Sequence, residues 1–498
     1  MASQTTIQES SIQGSLYELV ARGNKDKYFV RDISDSYHPY SGYYEAAAPF
    51  ICERRTTVPL NAPTFGNTFE IPLEPYGDIL TDIGLLIELP TWFPQLPLFA
   101  GDITITEPRR VNSYYWIKDT DGASYGYVNC PAYFMFERIQ FYQDQILLQE
   151  WSGDALLATG LTEGTWNSEF LDLALAGQTG RLGGTDARAI ALRATPGKLR
   201  IKLPVVGCQT PGDPGFPLCC MTNQNFRFRI KLRPLEQLVV GVDASGLPLA
   251  SPQPWATGKI FEYLQDGAVT PYQFSPIGYT SLQKPNILLE TVQAYVPIEV
   301  KDELREKAIS IAFRRQFENI FTFGPLDYAP FDRGAVVGPV VTRRLDGRHP
   351  TERLVFFFRG QGCSETNRLD DFVNPIGTRG GQFYSNLKLI IAGQDREYMY
   401  PSFVWADLNA YAKDERDTGL NIGEMRWSLG DVYERVKPSW RQPEGAVNMT
   451  TADKPTLHIQ LENVLPGSIG KRTEMRVVCE GWAAYEVSEG RGRMLFAN

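Results

Sequence analysis

The chain of 498 residues has no run of about 18 consecutive apolar residues, so no transmembrane helix is expected. It has only three histidines, His38, His349 and His458, too far apart in sequence for a metal cluster. Seven cysteines are scattered, and none shows the two-residue spacing of a zinc site. Positive charge is not in excess. The formal net charge of -9 argues against a protein that coats nucleic acid through bulk charge. The first residues, "MASQTTIQESSIQGSLYELV", lack a basic region followed by an apolar core, so no secretory leader is expected. A reducing compartment and buried, reduced thiols follow as expectations.

Turn formers and apolar residues are abundant. The 44 glycines and 34 prolines suit many short strands better than long helices, and 43% hydrophobic residues are ample for burial. At this length two or three domains are expected. In "TFEIPL", Phe69, Ile71 and Leu73 alternate with Thr68 and Glu70; after a Tyr76-Gly77-Asp78 turn, Ile83, Leu85, Ile87 and Leu89 alternate again. Period two marks half-buried strands. "FERIQFYQDQILLQEW" reads as a hairpin turning at Gln143-Asp144, and "KLRIKLPV" and "NFRFRIKLRP" are further strands. "DALLATGLTEGTW" looks helical, with Gly160 and Gly164 expected to split it. The pattern restarts in "ILLETVQAYVPI", "AISIAFRRQFENIFTF", "RLVFFFRG", "NLKLIIAG", "TLHIQLENV" and "EMRVVCEGWAAYEV", with a short helix at "VKDELREKA". The expected organisation is an arm over 1–45, a strand-rich unit over 46–240, linker and loops over 241–284, and a second such unit over 285–498. Two β-sandwiches in tandem are the result.

No stretch carries a complete catalytic motif. "GSIGKRT", Gly467 to Thr473, lacks the glycine spacing and the hydroxyl residue after Lys471 that a phosphate loop requires. Asp370-Asp371, and Glu303 with Glu306, are carboxylate pairs of the kind a sandwich glycosidase would need in a groove, but acidic surface residues are far commoner. Arg227, Arg229, Lys231 and Arg233 alternate with Phe226, Phe228, Ile230 and Leu232. That pattern makes either a basic stripe for phosphates or a core strand whose outer face pairs with neighbouring acids. The acidic chain favours the second. Cys219-Cys220 are adjacent, a strained arrangement for a disulfide. Asn448 opens a glycosylation pattern expected to stay unmodified. No catalytic, cofactor-binding or metal-ligating residue is assigned, and no enzyme activity or cofactor is expected.

Several stretches together resemble the major capsid proteins of nucleocytoplasmic large DNA viruses, the group that includes iridoviruses, algal viruses and African swine fever virus. "NAPTFGNTFEIPLEPYGDILTDIGLLIELP" resembles that family's opening strands through Phe65, Gly66, Phe69, Ile71, Pro72, Gly77, Asp78, Leu85 and Pro90. The stretch from Leu199 to Val239 resembles the end of a first jelly roll. "ILLETVQAY" and "ERLVFFFRG" resemble early strands of a second. Pro443, Gly445 and Asn448 fall on a Pro-x-Gly-x-x-Asn core, and "MRVVCEGWAAYEVSEGRGRMLFAN" resembles the closing strands. Leu203 to Cys208 departs from the family's aromatic run, and "SEGRGR" replaces its closing turn. The resemblance implies an all-β double jelly roll, two tandem eight-stranded sandwiches with short helices in loops. It also implies a homotrimeric, pseudo-hexagonal capsomer tiling an icosahedral shell. Implied partners are neighbouring capsomers and minor capsid and penton proteins. An inner membrane would lie nearby, nucleic acid would not be contacted, and assembly would take place in the host cytoplasm. The alternatives are a carbohydrate-binding sandwich and a minor capsid or penton protein.

Overall fold

The computed structural model describes residues 49–90, 117–119, 123–163, 198–209, 213–250, 260–265, 268–273, 283–328, 339–348, 350–360, 363, 365–372, 382–402, 404–405, 421–427, 445–450, 454–462 and 473–495. The expected arm over 1–45 lies outside them.

Two four-stranded antiparallel sheets build the first sandwich. One has the order Ile51–Thr57, Asn286–Tyr295, Ile79–Glu88, Lys198–Lys202; the other Thr68–Pro72, Phe226–Leu232, Phe136–Gln143, Ile146–Trp151. Each strand follows its period-two pattern. Phe69 and Ile71 face inward with Ile139, Phe141, Phe228 and Ile230, and meet Ile83, Leu85, Ile87, Ile201 and Leu289 in one cluster. The Phe136–Trp151 hairpin turns through Asp144, whose φ of 50° is a left-handed conformation that Asp tolerates.

The second sandwich has a main sheet of Ile309–Phe323, Thr473–Ser488, Pro350–Gly360 and Ile422–Arg426, extended by short pairings at Val447–Asn448 and Arg491–Met494. Facing it is Val340–Arg344, Thr456–Leu461, Tyr384–Ile391, Gln394–Pro401. Its core holds Leu354, Phe356, Phe358, Leu387, Leu389, Ile459, Met475 and Val477. Gly423 sits opposite Phe356, whose ring lies over it; a Cβ there would come within 2.4 Å of the ring. Gly423→Ala is expected to cost about 1–3 kcal/mol by overpacking, read as a lower denaturant midpoint.

The sandwiches share their middle layer. Along Pro350–Gly360, Leu354, Phe356 and Phe358 enter the second core, while Val355 and Phe357 join the first cluster. That is why "RLVFFFRG" reads as a continuous apolar run and not an alternation. Thr473–Ser488 changes sides along its length: Met475, Val477 and Cys479 belong to the second core, Ala483, Tyr485 and Val487 to the first cluster. Helix α1 (Pro131–Phe134) and helix α2 (Gly153–Glu163) contact each other, and α2 also contacts strands of both sandwiches. Helix α3 (Ile298–Glu306) links the sandwiches along the chain.

Three features differ from the sequence expectation. Asn286–Tyr295, expected to open the second unit, pairs with Ile51–Thr57 and Ile79–Glu88 and so completes the first sandwich. Alternation marked a strand there but carried no information on its partner. The stretch expected as linker contributes Ile260–Gln265 and Ala268–Gln273 to a further five-stranded sheet with Ile117–Asp119, Ser124–Tyr127 and Val239–Val242. Asp266-Gly267 between those two strands is a strong hairpin signal. Helix α2 continues through Gly160, because burial on every described face outweighs a glycine penalty of about 1 kcal/mol.

Candidate functional site

His38, His349 and Gly467–Arg472 of the lysine-containing turn lie outside the described residues. His458 is half-buried mid-strand, opposite Thr342 and Lys388. Asp370 is buried and accepts a hydrogen bond from Asn129 Nδ2 at 3.1 Å, and Asp371 pairs with Arg368 at 3.2 Å. Glu303 pairs with Lys307 one turn further on, and Glu306 is exposed. These carboxylates hold structure together or face solvent. Among the described residues, no group of three or more His, Cys, Asp or Glu could hold a metal ion, and no helix is long and apolar enough to cross a membrane.

The basic strand resolves in favour of paired charges. Arg227 lies 3.8 Å from Glu70 and over the Tyr142 ring, and Lys231 meets Glu137 at 2.7 Å. Arg229 stands opposite Glu70 on one neighbour and Gln140 on the other. Arg233 departs from the stripe. The strand ends at Leu232, and Arg233 turns inward to Asp154 at the start of α2. Asn448 is exposed and its Oδ1 accepts from the Thr450 amide at 2.9 Å. The cysteines are not uniformly buried: Cys52 is exposed and Cys363 half-buried, while the other five are buried.

Charged residues, of which the sequence reading singled out only Arg233, gather between the sandwiches. Asp154, fully buried, binds Arg233 of the first sandwich and Arg359 and Arg476 of the second, the last at 3.0 Å. Burial alone would push the Asp154 carboxyl up; the guanidinium groups of Arg233, Arg359 and Arg476 outweigh it and hold the group far below the usual carboxylate range. Arg359 is caged by Phe134, Phe357 and Phe372, with ring centroids 5.4, 5.1 and 5.4 Å from its Cζ. The Nε atoms of Arg233 and Arg359 have no hydrogen-bond partner among the described residues, so both guanidinium groups depend on Asp154.

A second cluster extends the same layer. Arg353, fully buried, binds Glu480 and Glu424 and donates to Thr162 Oγ1 of α2 at 3.2 Å. Arg314 grips Glu352 with two parallel bonds of 2.9 and 3.0 Å and lies over the Trp482 ring. Burial pushes the Glu480 carboxyl up, and Arg353 and Arg314 reverse that and bring it below its ordinary value. Gln149 and Gln209 each donate to the Arg314 carbonyl, at 3.3 and 2.6 Å. The layer is an ionic seam in which every named guanidinium group meets at least one carboxylate, and it fixes one orientation of the sandwiches.

Neither a family model nor a curated protein sequence matches the chain. Solved structures do match. PBCV-1 VP54, a crystal structure fitted into a reconstruction of the virophage Sputnik, aligns with a TM-score of 0.60 at 12% identity, covering 92% of this chain and 100% of VP54. A quasi-atomic model of the PBCV-1 virus capsid gives the same values. The Faustovirus major capsid protein aligns with a TM-score of 0.53 at 12% identity, over 95% of this chain and 98% of that one. This chain has the double jelly-roll fold. The two four-stranded sheets of the first sandwich give its eight strands, and the four-plus-four core of the second gives the other eight. In this double jelly roll the ionic seam occupies the junction between the rolls.

Proposed function

We propose that the chain is the major capsid protein of a large double-stranded DNA virus, trimerising into a pseudo-hexagonal capsomer that tiles an icosahedral shell. The observation that carries this is the likeness to VP54 over 92% of this chain and 100% of that one. Two sandwiches held at one angle by a buried seam present two similar wedges, so three chains present six, which suits a hexagonal lattice position. Exposed apolar side chains supply candidate contacts. Phe50, Ile51, Val58 and Leu60 lie on and beside the edge strand of the first sandwich, and Ile320, Leu326 and Val340 lie on the second. Leu326 is 93% exposed, a position that association would rationalise. Minor capsid and penton proteins, and assembly in the host cytoplasm, belong to the same reading.

Purified protein is expected to scatter light as three copies of a 56.0 kDa chain, 3 × 56.0, or about 168 kDa. Negative-stain images are expected to show hexagonally outlined particles. A monomer at all concentrations tested would overturn the reading. Leu326→Asp is expected to weaken the trimer without unfolding the chain, because a fully solvated side chain adds little to the stability of the monomer.

A further inference from the structure

Cys219 and Cys220 close a short 3-10 turn, Leu218–Cys220, with their sulfurs 3.8 Å apart. The turn is fastened on both sides. The Cys219 amide donates to the Asp78 carbonyl at 2.9 Å, at the entry to Ile79–Glu88, and the Cys219 carbonyl accepts from Arg305 Nε at 3.1 Å. The Cys220 thiol has two acceptors in reach, Cys219 Sγ and the Leu304 carbonyl at 3.3 Å. The dithiol therefore joins the first sandwich to α3, the helix that leads into the second.

We infer that Cys219-Cys220 is a thiol–disulfide exchange site, in which Cys219 attacks a low-molecular-weight disulfide and Cys220 resolves the product. Three observations carry this. The sulfurs are held side by side within one turn, so the resolving thiol needs no search. The Cys220 hydrogen can point at Cys219 Sγ, which favours a thiolate there. Lys301 and Arg305 on α3 place two cations over the pair, although Asp78, bound to Lys301 at 2.9 Å, works against them. In direction the cysteines separate. The hydrogen bond from Cys220 draws Cys219, 7% exposed, below the ordinary thiol value and, with burial, pushes Cys220 far above it; burial pushes Cys208, Cys363 and Cys479 up, Cys363 to about 11 and Cys479 to about 12.

The exchange balances without another reactant. The Cys219 thiolate forms a bond to one sulfur of the reagent, whose S–S bond breaks and releases the first thiolate. Cys220 then gives its proton to a released thiolate or to water and attacks Cys219 Sγ, and the second reagent thiolate leaves. The protein dithiol is oxidised by two electrons and the reagent disulfide is reduced to two thiols. A disulfide carries no S–H, so Cys220 can no longer donate to the Leu304 carbonyl of α3. Ring strain between adjacent cysteines makes the product easy to reduce again.

The test uses the full-length protein, incubated with oxidised glutathione at neutral pH without denaturant. The reaction is then quenched in acid, and the protein is alkylated in denaturant and read by peptide mass spectrometry. The Cys219-Cys220 peptide should lose two hydrogens and both alkylation sites, while Cys208 and Cys479 remain alkylated and exposed Cys52 stops at a mixed disulfide. Cys220→Ser should stop at a mixed disulfide on Cys219, and Cys219→Ser should leave Cys220 alkylated. Phenylarsine oxide on the unaltered protein is a second measurement that depends on no variant folding. One arsenic should bridge the two sulfurs, with loss of one water. Full alkylation of Cys219 and Cys220 once Cys52 has reacted completely would overturn the inference. So would oxidation of Cys208 and Cys479 at the same rate as the pair, or no arsenic on the native protein.

Discussion

Asp154→Asn is expected to lower the stability of the chain by about 3–5 kcal/mol, the usual cost of leaving buried charges without their partner. Asn keeps the size and one acceptor oxygen, so packing around α2 is preserved and the loss reports charge. Three guanidinium groups converge on this one carboxylate, and of the three only Arg476 meets further acids among the described residues, Glu318 at 2.9 Å and Glu474. Arg233 and Arg359 are left to repel each other in a dry site. Arg359→Met should cost less, because Asp154 keeps Arg233 and Arg476 and the methionine fills the ring cage. Chemical denaturation of both single variants and the double variant measures the coupling, which should be clearly non-additive. Acid supplies an independent check. The folded carboxyl lies far below its unfolded value near about 3.9, so its stabilisation is complete above that value and is lost as pH falls. The gap between the original protein and Asp154→Asn should therefore shrink steadily below about pH 4. A gap that stays constant down to the acid transition would mean that the seam does not hold the sandwiches.

The fold class was legible because its signals are local. Phe69 and Ile71, or Phe226 through Leu232, announce a half-buried strand by alternation alone, and Asp144 announces its hairpin turn. What was illegible is pairing at long range. Nothing within Asn286–Tyr295 says that its partners are Ile51–Thr57 and Ile79–Glu88, which lie far earlier in the chain. The seam was hidden for the same reason. Arg353, Arg359, Arg314 and Arg476 stand inside apolar strands, where a charge reads as an outward residue, and only the second sandwich's main sheet being covered on both faces turns them inward. One signal was present and unused: the two arginines that bracket the apolar run in "ERLVFFFRG", Arg353 and Arg359, have no solvent face to occupy. Asp154 at the head of an otherwise apolar helical stretch is the natural complement of Arg359. The dithiol was legible as a pair but not as a joint, since α3 comes to it from about eighty residues away.

A chain that stops at Gly492 is expected to be insoluble. The sequence places the last strand as the closing strand of the second sandwich, and Arg491–Met494 does pair with Tyr485–Ser488 of its main sheet. Its anchorage, however, is on the first sandwich. The Gly492 carbonyl accepts from Gln143 Nε2 at 2.6 Å and Gln224 Nε2 at 3.1 Å, and its amide donates to Gln224 Oε1 at 2.7 Å. Met494 packs on the cluster of the first sandwich and not on the core of the second, and Phe496 lies outside the described residues. Stopping at Gly492 removes the Arg493 and Met494 pairings and the bond from the Leu495 amide to the Ala484 carbonyl at 2.9 Å. The Met494 side chain accounts for about 2 kcal/mol, the low end for a partly buried methionine, and each lost hydrogen bond for about 1 kcal/mol. Those losses approach the lower end of the roughly 5–15 kcal/mol that a folded chain holds. They also bare the backbone edge of Ala484–Glu486, a template for aggregation. Gly492→Val probes the same joint without shortening the chain, because even a Cβ would lie 1.9 Å from Tyr485 Oη and 2.8 Å from Met221 Sδ. Arg493→Ser is the control. It breaks only a solvated pair with Glu486 and should leave solubility unchanged. Soluble protein from the chain ending at Gly492 would show that the hairpin merely decorates the sheet, and that the shared apolar layer and the seam join the two sandwiches without it.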